Sequence, residues 1–187
     1  MAGLILALGL GVVLVRRRSL AIALVSAQSL ALGIMALDHA AVAAVVLAVK
    51  AVALPALLVA VVRRTREPRL VAAAAGPLVR LAGAAAAAGL AAALVPPDVR
   101  GGAAVVVTGL AIVVARRPIL FQLLGVIVAE NGLSLLALSV PGGLSYVIEL
   151  GALLDLALVV VVASFFARRI HLELGTGDTE LLRGLRD

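Results

Sequence analysis

The sequence predicts an all-α fold, that of a polytopic integral membrane protein with about seven transmembrane helices. Three observations carry this expectation. Of 187 residues 64% are hydrophobic, and the mean hydropathy is +1.25, whereas an ordinary soluble domain is closer to half apolar. Basic clusters and Pro/Gly breaks cut the chain into seven apolar runs, set against the roughly 20 residues that cross a bilayer as a helix, with the first and fifth runs short. The arginines gather at every second junction, the pattern of chains whose cytoplasmic loops hold the positive charge.

The runs read as 2–15, 20–37, 41–62, 70–95, 103–115, 119–140 and 144–167. In the first, "MAGLILALGLGVVLV" precedes Arg16, Arg17 and Arg18. A secretory signal would put its positive charge ahead of the apolar stretch, so this run is expected to remain as a helix. The second carries Gln28 midway along its length. The third carries Lys50, followed five residues later by Pro55 in "VKAVALPALL". A proline inside a helix frees the carbonyl four residues before it and bends the rod, which leaves room for water beside a buried lysine. The fourth, "LVRLAGAAAAAGLAAAL", is nearly all small residues, which let helix backbones approach closely in lipid. It is therefore expected to be buried among the other helices, with Arg80 snorkelling from its cytoplasmic end. The fifth lies between "VPPDVRGG" and the pair Arg116, Arg117. The sixth has Glu130 and Asn131 near its middle, and the seventh has Glu149 and Asp155 before Arg168 and Arg169.

Orientation follows from the same arginines. Arg16 to Arg18, then Arg63, Arg64, Arg66 and Arg69, then Arg116 and Arg117, then Arg168 and Arg169 mark alternate junctions, while "LDHA", "VPPDVRGG" and "SVPGG" hold only Arg100 between them. An outside N-terminus and a cytoplasmic C-terminus satisfy every loop of a multi-pass protein in the cytoplasmic (inner) membrane. The net charge of +6 is then mostly this bias, and the lipid bilayer rather than nucleic acid is the expected environment. Cysteine is absent, which excludes disulfides, thiolate metal sites and iron–sulfur ligation. His39 and His171, the two histidines, fall on opposite sides in this topology, so no haem is expected between them. No phosphate-binding loop, nucleophile–base pair or metal-ligand spacing is present, and the chain alone is expected to catalyse no covalent reaction and to need no cofactor.

The chain is expected to form a single membrane domain over 1–187, with an internal repeat. Lys50 precedes Arg63 by thirteen residues and Asp155 precedes Arg168 by thirteen, while Gln28 and Glu130 sit midway along the second and sixth runs. Residues 1–66 and 103–169 therefore read as two parallel three-helix units, joined by a connecting helix at 70–95 and followed by a cytoplasmic tail at 170–187.

Lys50, Glu130, Glu149 and Asp155 are the ionisable groups placed at depth. Each costs on the order of 2.5–3.5 kcal/mol at a helix centre, so they are expected to face a bundle interior or a watery path. Burial disfavours the charged form of any ionisable group, which brings such groups toward proton exchange near neutral pH. Glu149 and Asp155 are six residues apart, about 9 Å along a helix and roughly a third of a turn out of line, so they punctuate a path rather than form a dyad. Pairing that merely ties helices together competes with this reading, and for Gln28 and Asn131 the two readings are about even, because buried amides often only hydrogen-bond across helices.

"QSLAL", "VKAVALPALL", "RRPILFQLLGVIVAENGLSLLAL", "VIELGALLDLALVVVVASFFARRI" and the tail "GTGDTELLRGL" together resemble component E of hydrogenase-4, a membrane subunit of formate-hydrogenlyase-type complexes. The last three helices are similar to the small K subunit of respiratory complex I, whose second and third helices carry buried glutamates. The resemblance implies that Glu130, with Asn131 after it, matches the first of these, and that either Glu149 or Asp155 matches the second. It also implies a non-catalytic subunit of an oxidoreductase complex, set between antiporter-like membrane subunits and a hydrogenase- or quinone-type peripheral arm, and passing protons. The alternatives are a component of a multisubunit cation/proton antiporter and an assembly scaffold.

Overall fold

In a computed structural model, residues 1–37, 41–65 and 76–139, together with 161 and 172, are described. The described residues form an all-α bundle: α1 (Ala2–Leu14), α2 (Arg18–Ala36), α3 (Ala41–Thr65), α4 (Pro77–Ala93), α5 (Arg100–Ala115) and α6 (Ile119–Leu138). The expected seventh helix and the tail lie outside them, apart from Val161 and Leu172, both helical. Of the expected fourth run, 70–75 lies outside as well.

The boundaries follow local chemistry. α1 stops where Val15 turns extended ahead of the three arginines. α4 starts on Pro77, with Gly76 as its N-cap, because a proline in the first helical position lacks only an N–H that would be unpaired anyway. Pro118 caps the start of α6. Pro55 lies within α3, which continues through it. α2 and α6, at 19 and 20 residues, are long and apolar enough to cross a membrane. α1 has 13 residues and α5 has 16, so the expectation that these would be short holds.

The bundle is organised around α2, which packs on α1, α3 and α6, while α5 packs on α6, α4 and α1. The core runs through these contacts and includes Ile5, Val12, Val25, Leu32, Leu47, Val105, Ile112, Phe121, Leu124 and Leu135. The α5–α6 seam is the closest approach. A Cβ at Gly125 would stand 2.8 Å from Gly109 O, and one at Gly132 would stand 2.5 Å from Val106 N. Gly102 and Gly109 on α5, and Gly125 and Gly132 on α6, recur at seven-residue spacing, which keeps backbone against backbone along the seam.

Two expectations for helix 4 are corrected. It is not buried all round: Arg80, Ala84 and Ala88 form a single buried stripe, while Leu78, Val79 and Leu90 are largely exposed. Small residues on every face permit close packing without selecting a face, and here only the stripe at four-residue spacing meets neighbouring helices. Nor does Arg80 snorkel outward, since it is 5% exposed.

Candidate functional site

Midway along α2, α3 and α6 the polar residues singled out in the sequence converge. Lys50 Nζ on α3 lies 2.5 Å from Glu130 Oε1 on α6, with the lysine 2% and the glutamate 15% exposed. Each helix supplies its residue from an apolar stretch, so neither charge has an aqueous alternative at that depth, and pairing offsets part of the cost of burial. The other carboxylate oxygen, Glu130 Oε2, is buried and meets no donor among the described residues.

Beside this pair lies an amide network. Asn131 Nδ2 donates to Gln28 Oε1 at 3.1 Å and to Ser29 Oγ at 3.0 Å. Gln28 Nε2 donates in turn to the Ile5 carbonyl of α1 at 2.8 Å. Gln28 and Asn131 are wholly buried. Gly9 makes room on α1, because a Cβ there would come within 3.1 Å of Gln28 Nε2. The network therefore ties α1, α2 and α6 together at one level, next to the ion pair that joins α3 to α6.

A cavity of about 10 Å³, on the scale of a single water molecule, is lined by Ser29, Lys50, Pro55, Leu58, Leu124 and Ile127. It touches the lysine of the ion pair and the serine of the amide network, and Pro55 borders it. The room expected beside the buried lysine from the proline spacing is thus present. Chemically, the arrangement brings an acid into contact with an amine beside a buried amide and hydroxyl network, and the cavity between Lys50 and Ser29 is walled mostly by apolar side chains.

Of the six residues expected to line a path, Lys50, Glu130, Gln28 and Asn131 are brought together. Glu149 and Asp155 lie outside the described residues. Among the described residues no His, Cys, Asp and Glu cluster is large enough to hold a metal. Ser29 was not singled out by the sequence. Its only signal is its place next to Gln28, as Asn131 stands next to Glu130.

Arg116 also exceeds its sequence role. Expected only as a loop charge, it is 2% exposed. Its Nη2 donates to the Val12 carbonyl at 3.3 Å and to the Val15 carbonyl, satisfying carbonyls that the end of α1 leaves unpaired. Its guanidinium lies 4.1 Å from the centre of the Phe121 ring, a cation–π contact that fastens α1 to the first turn of α6.

The fold and site define an all-α protein with two helices long and apolar enough to cross a membrane and a buried polar patch at their midpoints. The chain matches no family model, no curated protein and no solved structure.

Proposed function

We propose that this chain is a membrane-arm subunit of a membrane-bound hydrogenase or complex-I-related redox complex, in which its buried charges form part of a proton-translocation path. The carrying observation is the Lys50–Glu130 pair, buried across α3 and α6 beside the Gln28–Asn131 network. The resemblance to hydrogenase-4 component E and to the complex I K subunit supports the choice of complex. On this reading the chain crosses the cytoplasmic (inner) membrane about seven times, Glu149 or Asp155 continues the path in the seventh helix, and redox chemistry belongs to a hydrogenase- or quinone-type peripheral arm. Antiporter-like subunits are its neighbours in the membrane.

A buried ion pair is weak evidence of stabilisation, because replacing both partners with apolar residues is often neutral or stabilising. A pair retained at depth therefore calls for a reason other than stability, and proton exchange supplies one. Glu130→Gln keeps size and hydrogen bonding but removes the titrating proton. The complex carrying it is expected to assemble and turn over with artificial acceptors while losing proton translocation in liposomes; Glu130→Asp is expected to lose less. Equal pumping by the Gln variant and the parent would reduce the pair to packing.

The same pair would serve a component of a multisubunit cation/proton antiporter. Neighbouring genes separate the two readings: a large hydrogenase-like subunit beside this one favours the redox complex, and a set of antiporter subunits alone favours the antiporter.

A further inference from the structure

Three arginines from different parts of the chain stand at corresponding ends of α1, α4 and α5, which pack pairwise on one another. Arg80 projects from the first turn of α4, Arg116 follows α5, and Arg16 lies between α1 and α2. They stand close enough to repel one another: Arg16 acts on both of the others, and Arg80 acts on Arg116. Arg16 is exposed, whereas Arg80 and Arg116 are 5% and 2% exposed.

The hydrogen bonds deepen the imbalance. Arg80 Nε, Nη1 and Nη2 are all buried and meet no acceptor among the described residues, and the same holds for Arg116 Nε and Nη1. Burial, and then repulsion from Arg80 and Arg16, lowers the Arg116 pKa to about 10, so its guanidinium remains charged at neutral pH. Arg80 is moreover at the N-terminal end of a helix, where the peptide dipoles disfavour a cation and favour an anion. Leaving a guanidinium buried with its donors unused costs heavily unless a counter-charge reaches it.

We infer that Arg80, Arg116 and Arg16 form an anion site for a phosphate group, with Arg16 at its mouth and the two buried guanidiniums as its floor. Phosphate suits it because a guanidinium presents a planar fork that matches two phosphate oxygens, and because the charge-assisted bonds would satisfy the five idle nitrogens. The phosphate can belong to the headgroup of an anionic phospholipid, which the end of a membrane bundle meets, or to free inorganic phosphate.

The test uses the full chain purified in neutral detergent, with its thermal midpoint followed against added phosphatidylglycerol in one arm and inorganic phosphate in the other. A rise with phosphatidylglycerol alone assigns the headgroup; a saturating rise with phosphate assigns the free anion. In either case Arg80→Gln is expected to weaken binding at least tenfold and Arg80→Lys to weaken it less, because the lysine keeps the charge but loses the fork. Arg100→Gln, at an exposed arginine that opens α5 at the opposite end of α4 from Arg80, serves as the control and is expected to bind like the parent. Should Arg116→Gln fail to fold through loss of its bonds to α1, the Arg80 variants still decide the matter. No rise in either arm, or an equal rise in Arg80→Gln and the parent, overturns the site. Neither result bears on proton translocation through Glu130.

Discussion

At the scale of single residues, the contrast between charge and amide separates two kinds of buried polar group. Lys50 and Glu130 sit 2.5 Å apart, and removing one partner of such a buried pair costs about 3–5 kcal/mol, whereas removing both restores most of it. Lys50→Met is therefore expected to destabilise the chain, and Lys50→Met with Glu130→Gln to recover stability in thermal unfolding. If the pair only ties helices together, the double variant also recovers proton movement. If the pair carries protons, stability returns and proton movement does not, and this split is the outcome expected. Asn131 differs, since it has two hydrogen-bond partners on α2 and no titrating proton. Asn131→Leu leaves Gln28 Oε1 and Ser29 Oγ without their donor, so a loss of roughly 1–3 kcal/mol is expected in denaturant titration. A variant as stable as the parent would mean that water replaces the amide. The sequence made Lys50, Glu130, Gln28 and Asn131 visible because a polar group in an apolar run is costly and so needs a cause. It did not make their pairing visible, since Gln28 and Asn131 are 103 positions apart and nothing local records which residues face each other. Arg80 and Arg116 were hidden for another reason: snorkelling from the end of the fourth run accounts for the first and the loop-charge pattern for the second, so their burial left no unexplained feature in the sequence.

At the scale of elements, helix positions were legible and helix faces were not. The apolar runs and their breaks place the first, second, fifth and sixth helices within a few residues of Ala2–Leu14, Arg18–Ala36, Arg100–Ala115 and Ile119–Leu138. Faces are harder in an apolar chain, where a side toward lipid and a side toward protein carry the same residue types. Helix 4 illustrates this, because its alanines suit either surroundings and only the Arg80–Ala84–Ala88 stripe is buried. The α5–α6 seam is the strongest commitment at this scale. At Gly109 an added Cβ would run into the α6 backbone at Ala129 N, Ala129 Cα and Gly125 O, which cannot move as a flexible side chain would. Gly109→Leu is accordingly expected to force α5 and α6 apart and to abolish the folded, monodisperse protein in detergent. Gly83→Leu on α4, where an added Cβ meets nothing, is expected to be tolerated. Size-exclusion profiles and thermal midpoints of the two variants check the difference, and similar behaviour of both would mean that the seam is looser than drawn.

At the scale of the whole molecule, the described helices assign the arginines to ends. Arg16, Arg80 and Arg116 come from different parts of the chain and gather at one end of the bundle, whereas Arg100 follows the α4–α5 turn, where its Nε donates to the Val95 carbonyl at 3.3 Å. Each helix reverses the direction of the chain, so the α4–α5 turn faces away from that gathering. On the proposed membrane reading, an end that collects basic residues from separate connections is the one retained in the cytoplasm, because translocating lysine and arginine is opposed during insertion. The last prediction follows from combining this with the seven spans proposed above. Reporter fusions after Arg66 and after Asp178 are expected to read as cytoplasmic, and a fusion after Pro97 as external. The Pro97 and Arg66 fusions test the described bundle, since they flank α4 on opposite sides. The Asp178 fusion tests the seventh span, because without a further crossing after α6 the tail would lie outside. A cytoplasmic reading at Pro97 would invert or break the bundle, and an external reading at Asp178 would leave an even number of spans and deprive the proposed second three-helix unit of its last helix.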